Sequence, residues 1–351
     1  MTTEEGQREG GNFNRGPTPY QEWKAAEGIP IYTGSYVDDL YSLELAPWAR
    51  MGQNGAILNL ANQEEDDAWV VEIAAAGSTE VQHHLCEATV FVLTGRGATS
   101  FWQEGSEKQS VEWQRGSVFS PPVNCHYQHF NGDGQSPARL LTVTNAPMVI
   151  NLFRDADFIF GDPYVFDKRF AGEANFFVTP AERLNPRTWK TNFVPDIRAF
   201  TLDSNPKRGP GNSRAGFSLS NNSMYVHTSE FPPGTYKKVH RHGVGAHVIV
   251  LKGEGYSLLS FEGEEPRKVD WKDGSILSPA QDEFHQHFNT GREPARYLAV
   301  LLGQLNRGHG GGTPYQIEYV DQDPSIYDLY AAECAKNGVD VVLPRPEYRS
   351  A

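Results

Sequence analysis

Apolar residues occur in short runs along most of the chain, and glycine, proline, aspartate or asparagine interrupts them after about 8–12 residues. Valine, isoleucine, leucine, phenylalanine and tyrosine dominate these runs, as ATVFVLTG, GSVFSPP, HVIVLKG and GSILSPA illustrate. Such runs are typical of β-strands, because β-branched and aromatic side chains fit a pleated, half-buried surface. A helical period becomes clear only in residues 324–338, where we predict a C-terminal helix. The pattern therefore predicts an all-β sandwich or barrel with short flanking helices.

The chain contains an internal repeat. Residues 81–131 match residues 239–289 without gaps at an offset of 158, so that Gly95 corresponds to Gly253. WQRGSVFSP pairs with WKDGSILSP, and QHFN recurs unchanged. The sequence PAR follows shortly after QHFN in each repeat. Self-similarity at a fixed offset indicates a duplicated structural unit. We therefore predict two copies of the same β-domain.

The repeat divides the chain into five predicted segments. They are a flexible tail (1–17), an N-terminal barrel (18–150), an ordered connection (151–215), a C-terminal barrel (216–305) and a C-terminal extension with the helix (306–351). The tail is polar and rich in glycine, which favours a loose chain. The connection is rich in phenylalanine, aspartate, asparagine and proline. We expect it to pack on both barrels, because exposed aromatic side chains would be costly.

Composition narrows the class of function. The chain has 351 residues, a net charge of −13 and 38% hydrophobic residues, which suits a soluble globular protein with a substantial core. An acidic surface argues against nucleic acid and anionic membranes as partners. No apolar run approaches the roughly 18–20 residues of a membrane span. Three cysteines, Cys86, Cys125 and Cys334, are more typical of a reducing cytoplasm than of a disulfide framework. We expect a cytoplasmic protein that acts on a small molecule.

Two histidine-rich motifs stand out in the second repeat. His240 and His242 lie two residues apart, and so do His285 and His287. Alternate residues of a strand share one face, so each pair can point into a barrel. Imidazole suits zinc, copper, iron and nickel. Glycines after the motifs permit the tight turns that bring two strands together. The sequence therefore predicts a metal site made from two strands of one barrel.

These motifs resemble those of the cupin superfamily, whose members are small jelly-roll (double-stranded β-helix) barrels with an internal metal. The duplication makes the chain similar to a bicupin, so the resemblance implies two tandem cupin barrels. It implies His240, His242 and His285 as metal ligands, with His287 as the alternative to His285. The glutamate ligand of the family is missing. Its position is taken by Ala246 or by His247, depending on the motif from which the spacing is counted.

A narrower resemblance concerns the run HRH, three variable residues, alanine and, five residues later, Gly-x-Gly. This run and HQHFN are similar to gentisate-type ring-cleaving dioxygenases, which are bicupins with three histidines on Fe(II) and no carboxylate. The resemblance places Ala246 at the open position and His247 on the opposite strand face. It implies an Fe(II) dioxygenase whose small aromatic or enolisable substrate chelates the metal beside O₂. In the gentisate enzymes the working site lies in the first cupin, whereas here the better motif is in the second.

Two other functions stay open. With His247 as a fourth ligand the site would resemble those of manganese, nickel or zinc cupin lyases, isomerases and decarboxylases, and copper is a further candidate metal. Cupins also include non-catalytic proteins that bind small molecules. Bicupins often pair through their sheets, so the resemblance implies a homo-oligomer.

Other residues complete the predicted site. Four are candidates for catalysis or substrate contact, namely His287, His227, Tyr256 and Gln281. His287 could orient a ligand or contact substrate, and His227 lies on a predicted wall strand, near Tyr225. Arg139 and Arg296 recur at the same place in both repeats, which indicates a structural ion pair rather than a substrate clamp.

The first repeat lacks the complete motif. Gln82 and Tyr127 stand at the positions of the first and last histidine ligands, and His84 stands at the second. A rebuilt metal site could combine His84, Glu87 and His126. The alternative is a barrel kept for packing and dimerisation, whose polar residues are hydrogen-bonded to one another.

Overall fold

The chain forms two β-barrels that are joined back to back, as a computed structural model shows for residues 16–243, 245–303 and 315–349. The predicted all-β class with short flanking helices is confirmed. Nearly all of the predicted tail, residues 1–15, lies outside the described residues, as do residues 304–314. Among the described residues no helix is both long and apolar enough to cross a membrane.

The elements follow one another in two similar series. The helices are α1 (Pro19–Ala26), α2 (Ala146–Phe153), α3 (Ala156–Gly161) and α4 (Pro324–Asn337). The strands of the first half are β1 (Ile31–Tyr32), β2 (Tyr36–Val37), β3 (Ala46–Trp48), β4 (Gln53–Leu58), β5 (Asp67–Ile73), β6 (Ala88–Thr94), β7 (Arg96–Trp102), β8 (Gln109–Gln114), β9 (Val118–Phe119), β10 (His126–Asn131) and β11 (Ala138–Thr144).

The second half continues the numbering. Its strands are β12 (Glu182–Asn185), β13 (Thr188–Thr191), β14 (Phe193–Val194), β15 (Asp203–Ser204), β16 (Ser213–Leu219), β17 (Tyr225–Phe231), β18 (Thr235–Tyr236), β19 (His240–Arg241), β20 (His247–Lys252), β21 (Glu254–Ser260), β22 (Arg267–Lys272), β23 (Ile276–Leu277), β24 (Phe284–Asn289), β25 (Ala295–Leu301) and β26 (Tyr315–Gln316).

Each barrel has a large and a small sheet. In the first barrel the large sheet runs β1-β4-β5-β11-β6-β9-β14, and the small sheet runs β10-β7-β8. In the second barrel the corresponding orders are β12-β13-β16-β17-β25-β20-β23-β2 and β22-β21-β24-β19-β26. Buried and exposed residues alternate in β8 and β22, as expected for sheets with one wet face. Strands β6 and β20 are buried almost throughout.

The two large sheets share one apolar layer, which explains why their strands are buried on both faces. The layer combines residues from both halves, among them Val70, Phe91, Leu141, Phe217, Ile249 and Leu298. The opposite face of each large sheet points into its own barrel. Strand alternation therefore decides, residue by residue, whether a side chain serves the shared layer or a barrel interior.

Two short arms cross between the barrels. Arm 1 (residues 36–43) contains β2 and pairs with β23 of the second barrel, whereas arm 2 (residues 193–200) contains β14 and pairs with β9 of the first. The arms are related by the repeat, since Leu40 N–H donates to Gly274 in one and Ile197 N–H donates to Gly116 in the other. The repeat thus extends into the predicted connection, although few identical residues reveal it there.

Arg139 and Arg296 hold the two arms. Arg296 Nε lies 2.8 Å from a Glu230 carboxylate oxygen, and its Nη1 donates to the carbonyls of Ile197, Arg198 and Phe200 at 3.2, 2.6 and 3.1 Å. Arg139 makes the equivalent ion pair with Glu72 at 2.6 Å and donates to two carbonyls of arm 1. The contacts confirm the structural role that the repeat predicts for these arginines.

The predicted C-terminal helix is α4, which begins after the Asp323 cap and ends at Gly338 with a positive φ of 65°. It covers the outer face of the small sheet of the second barrel, where Tyr330 packs against Tyr236 and Phe288. Tyr256 belongs to this outer cluster and stacks on Phe288 with ring centroids 4.5 Å apart. The prediction that Tyr256 contacts substrate is therefore wrong, because its strand face points away from the barrel interior.

We predict that Arg296→Met lowers the free energy of unfolding by about 2–3 kcal/mol, because Glu230 and three backbone carbonyls lose a half-buried cation. Urea denaturation measures the change. Arg345→Met serves as the control, since Arg345 pairs with Asp328 on the exposed surface, and it should shift stability by less than about 0.5 kcal/mol. Equal effects of the two substitutions would contradict the role given to Arg296.

The Tyr256 hydroxyl is buried and has no hydrogen-bond partner among the described residues. We therefore expect Tyr256→Phe to leave the stability unchanged or to raise it by up to about 1 kcal/mol. Tyr330→Phe, in the same cluster, removes a hydrogen bond to the Gly234 carbonyl and should cost about 1 kcal/mol. Thermal unfolding compares the two variants, and a marked loss in Tyr256→Phe would show an unrecognised partner.

Candidate metal centre

Three histidines converge inside the second barrel. His240 on β19 is the cross-strand partner of His285 on β24, and His242 follows two residues after His240. One ring nitrogen from each of the three lies within 4.8 Å of the others. The ring centroids of His240 and His285 are 4.0 Å apart, and that of His242 lies 5.0 Å from His285. This spacing lets three imidazoles face one ion.

Backbone contacts orient the histidines. The Nδ1–H of His285 donates to the Glu283 carbonyl at 3.0 Å, which leaves the Nε2 lone pair for a ligand. The Asp282 N–H donates to the His242 carbonyl at 3.0 Å and joins the two motifs. Asp282 has a φ of 58°, so the turn before β24 is tight. A metal ligand held in this way loses little freedom on binding.

The electrostatic surroundings favour neutral imidazoles. Burial, followed by the proximity of His285 and of the Arg208 guanidinium, lowers the pKa of His240 well below its usual value. Burial and the neighbouring His242 and His287 lower the pKa of His285 in the same way. Neutral imidazole is the form that binds a metal, so the site requires little proton release on loading.

Ala246 and His247 lie on opposite faces of their strand. Ala246 packs with Val248 and Val250 in the apolar lining of the second barrel. His247 points into the layer between the barrels, where its Nδ1 lies 3.4 Å from an oxygen of the fully buried Asp66. Among the described residues no fourth histidine therefore joins His240, His242 and His285, and the alternative of His247 as a ligand is corrected.

His287 belongs to a three-residue unit that both barrels contain. Trp271 Nε1–H donates to Ser257 Oγ at 3.0 Å, and this hydroxyl lies 2.7 Å from His287 Nδ1. The repeat-related residues Trp113, Thr99 and His129 make the same contacts at 3.0 and 2.7 Å. The unit is therefore part of the fold, and a role of His287 toward substrate stays a prediction.

Of the other three residues predicted to contact substrate, only His227 lies in the barrel interior. His227 faces the barrel interior, with its ring centroid 5.9 Å from that of Tyr225 and 6.1 Å from that of Tyr297. Burial, followed by the nearby Arg214 charge, lowers the pKa of His227 well below its usual value. Gln281 is exposed in the turn between β23 and β24, next to Asp282. Tyr256 lies under α4, outside the barrel.

The first barrel does not assemble the alternative site. Both ring nitrogens of His84 are engaged, by the Cys86 carbonyl and by the Tyr127 hydroxyl at 2.8 Å each. Glu87 is bound to Arg169, with 2.6 Å between nitrogen and oxygen. His126 stacks on Trp102 at 5.5 Å. Within the described residues no group of His84, Glu87 and His126 forms a metal site, because each side chain is committed to a different neighbour.

Sequence reasoning missed a set of basic side chains in the second barrel. Arg208 Nη2 lies 2.6 and 2.7 Å from the two ring nitrogens of His240, and Arg214 donates to the Tyr225 hydroxyl at 2.9 Å. Lys237 is buried and donates to the Tyr297 hydroxyl at 2.8 Å. Counting alternate residues back from His240 places Lys237 on the outer face, but the chain leaves regular strand geometry between β18 and β19.

Comparisons with known proteins agree with this architecture. No family model matches the chain. Gentisate 1,2-dioxygenase from Haloferax sp. is 32% identical over 80 residues, which is 23% of this chain and 22% of that enzyme. The chain therefore matches only about a fifth of the length of that relative.

Solved structures match over most of the chain. An oxalate decarboxylase from Bacillus subtilis aligns over 89% of this chain and 88% of its own, with a TM-score of 0.54 and 10% identity. Another structure of the Bacillus subtilis enzyme, studied for its Mn(II) centres, aligns over 85% of this chain and 84% of its own, with a TM-score of 0.53 and 12% identity. The Lactobacillus farciminis enzyme in its formate complex aligns over 85% of this chain and 93% of its own, with a TM-score of 0.54 and 9% identity. Together with the two repeated jelly-roll barrels, these likenesses show that the chain has the bicupin fold.

Proposed function

We propose that His240, His242 and His285 hold one divalent metal ion, and that the protein is a metal-dependent enzyme acting on a small substrate in the second barrel. The observation that carries this proposal is the convergence of three imidazoles, with one ring nitrogen from each within 4.8 Å of the others and with His240 and His285 buried. The donor set fits a metal such as iron or zinc, because imidazole nitrogen is a ligand that these metals favour. His285 already directs a free lone pair toward the other two rings.

We infer an Fe(II) dioxygenase as the best-supported activity. Ala246 stands where the cupin resemblance implies a carboxylate ligand, so the three histidines leave coordination positions for a chelating substrate and O₂. The similarity to gentisate 1,2-dioxygenase supports the same activity. A bound Fe(II) would supply Lewis acidity and the redox chemistry of O₂.

The residues of the chain would position the substrate. Val248 and Leu259 line the interior with apolar surface, which suits an aromatic ring and excludes water. Arg208 and Arg214 favour an anionic group such as a carboxylate. Arg208 also contacts both nitrogens of His240, and a nitrogen that accepts from a guanidinium cannot bind a metal. Arg208 therefore has to release His240 when the site is loaded, which frees its guanidinium for the substrate.

A manganese decarboxylase is the second candidate. The observation that favours it is the alignment of the whole bicupin with oxalate decarboxylases, one of which has Mn(II) centres. Arg208 and Arg214 suit a dianion such as oxalate as well as they suit an aromatic acid. The two candidates therefore differ in metal and in oxygen consumption rather than in the charge of the substrate.

We expect alanine substitution of His240, His242 or His285 to weaken metal binding by more than about 100-fold, because each removes one of three ligands. Elemental analysis of the purified, folded variants measures the metal content. His247→Gln is the matched control, since His247 lies beside the motif but faces the layer between the barrels, and it should retain about one ion per chain. A metal content that His247→Gln lowers as much as His285→Ala does would contradict this ligand set.

The activity is tested by metal reconstitution. The iron-loaded protein should consume O₂ when gentisate is added, whereas His242→Ala should not, because its metal is lost. Oxygen-electrode traces and carbon dioxide release from oxalate are recorded in parallel with iron and with manganese. Carbon dioxide release by the manganese form without net oxygen consumption would favour the decarboxylase, and a loaded protein that is inactive with both compounds would count against both enzymes.

A further inference from the structure

Lys237 is a buried amine in the interior of the second barrel, only 2% exposed. Its Nζ donates to Ser229 Oγ at 2.7 Å and to the Tyr297 hydroxyl at 2.8 Å. Nζ also lies 4.2 Å from the ring centroid of Tyr297 and 4.9 Å from that of Phe231. Both hydrogen-bond partners are neutral, and Lys237 has no ion pair with a carboxylate in the described part of the chain.

The first barrel shows that the fold does not need this amine. The repeat-related residue is Thr79, which is fixed by the same backbone bond, since Thr79 N–H donates to His129 as Lys237 N–H donates to His287. Gln128 and Gln286 likewise donate to the carbonyls of Thr79 and Lys237, at 2.7 Å each.

The two neutral partners of Lys237 are also replaced in the first barrel. The cross-strand pair Ser229 and Tyr297 corresponds to Val71 and Leu140, which face each other in the same register. The first barrel thus fills the equivalent space with a hydroxyl and two apolar side chains. A buried lysine costs free energy unless it is paired or neutral, so its presence in one barrel alone indicates a ligand there.

The groups around Lys237 point to an anion. Arg208 and Arg214 approach from the 3₁₀ turn at 206–208 and from β16, and both are cationic. His227, His287 and Tyr297, which face the same space from β17, β24 and β25, are held neutral or are uncharged at neutral pH. Burial, followed by the charges of Arg208 and Arg214, lowers the pKa of Lys237 well below its usual value. An anion at this place would reverse the charge effect.

We propose that Lys237 binds an anionic group of the substrate and takes up one proton as it does so. As the anion binds, the amine accepts a proton from solvent, and the resulting ammonium pairs with the anion while it keeps its bonds to Ser229 and Tyr297. The assignment of the ligand as a substrate rests on the proposed function. The ring of Tyr297 lies 5.2 Å from that of His287, which in turn lies 5.8 Å from that of His285, so the anion site adjoins the histidine cluster.

Isothermal titration calorimetry with gentisate and with oxalate tests the proposal. Titrations in buffers of different ionisation enthalpy give the number of protons taken up, which we expect to approach one per anion in the native protein. Since burial and the two arginines lower the pKa of Lys237 and a bound anion would raise it again, the affinity for the anion should fall by up to tenfold per pH unit as the pH rises between these two pKa values.

Three variants separate the outcomes. Lys237→Met should abolish the proton uptake and weaken binding at least tenfold, while thermal unfolding shows that the barrel stays folded. Lys237→Arg should bind the anion without proton uptake, because a guanidinium is always charged. Lys238→Met is the matched control, since Lys238 pairs with Glu318 and should leave both quantities unchanged.

Comparison of the metal-loaded with the metal-free protein distinguishes this proposal from the proposed function. Proton-linked anion binding in a protein that takes up no metal would sink the enzyme proposal and retain the role of Lys237. An unchanged proton uptake in Lys237→Met would assign the proton to another group and overturn the proposal, as would anion binding without proton uptake in the native protein. The failure of both anions to bind either form would overturn it as well.

Discussion

The apolar layer between the two large sheets is the constraint on which the rest of the structure depends. Each strand in these sheets must give one face to the layer, so only alternate residues remain for a barrel interior. In β20 the layer takes Ile249 and Leu251 together with His247, and the interior receives Val248 together with Ala246, which directly precedes the strand. Packing in the layer between the large sheets thus limits which residues of β20, and therefore which histidines, can reach the interior of the second barrel.

Much of this arrangement could be predicted from the sequence, because strand alternation and the repeat are regular. His240, His242 and His285 follow from motif spacing, and Arg139 and Arg296 follow from recurrence. Lys237 could not be predicted, since the chain departs from strand geometry just before His240 and shifts the alternation by one residue. Arg208 lies on a 3₁₀ turn in the predicted connection, where no repeat or period marks it. The prediction for Tyr256 is wrong because its side of β21 faces α4, which comes from a distant part of the sequence, rather than the barrel interior.

The duplication allows polar residues to be sorted by a comparison inside one chain. The Trp271, Ser257 and His287 unit has an equivalent in the first barrel, where no three-histidine group is found among the described residues. Such a unit is explained by the need of buried polar atoms for hydrogen-bond partners, which is the same in both barrels. A buried lysine that occurs in one barrel only has no such explanation, because the first barrel folds with Thr79 at the equivalent position. The same comparison can be applied to any duplicated domain.

The crossing arms have a consequence for the history of the chain. Each barrel borrows a strand from the half of the sequence that builds the other, and the two exchanges are equivalent. A single-repeat ancestor with the same arm would have formed a symmetric, domain-swapped dimer, in which two identical subunits trade arms. Gene fusion would then have turned an intermolecular exchange into an intramolecular one. Once fused, the two halves could diverge in sequence, so that the second barrel could keep its three-histidine group while both halves kept their places in the assembly.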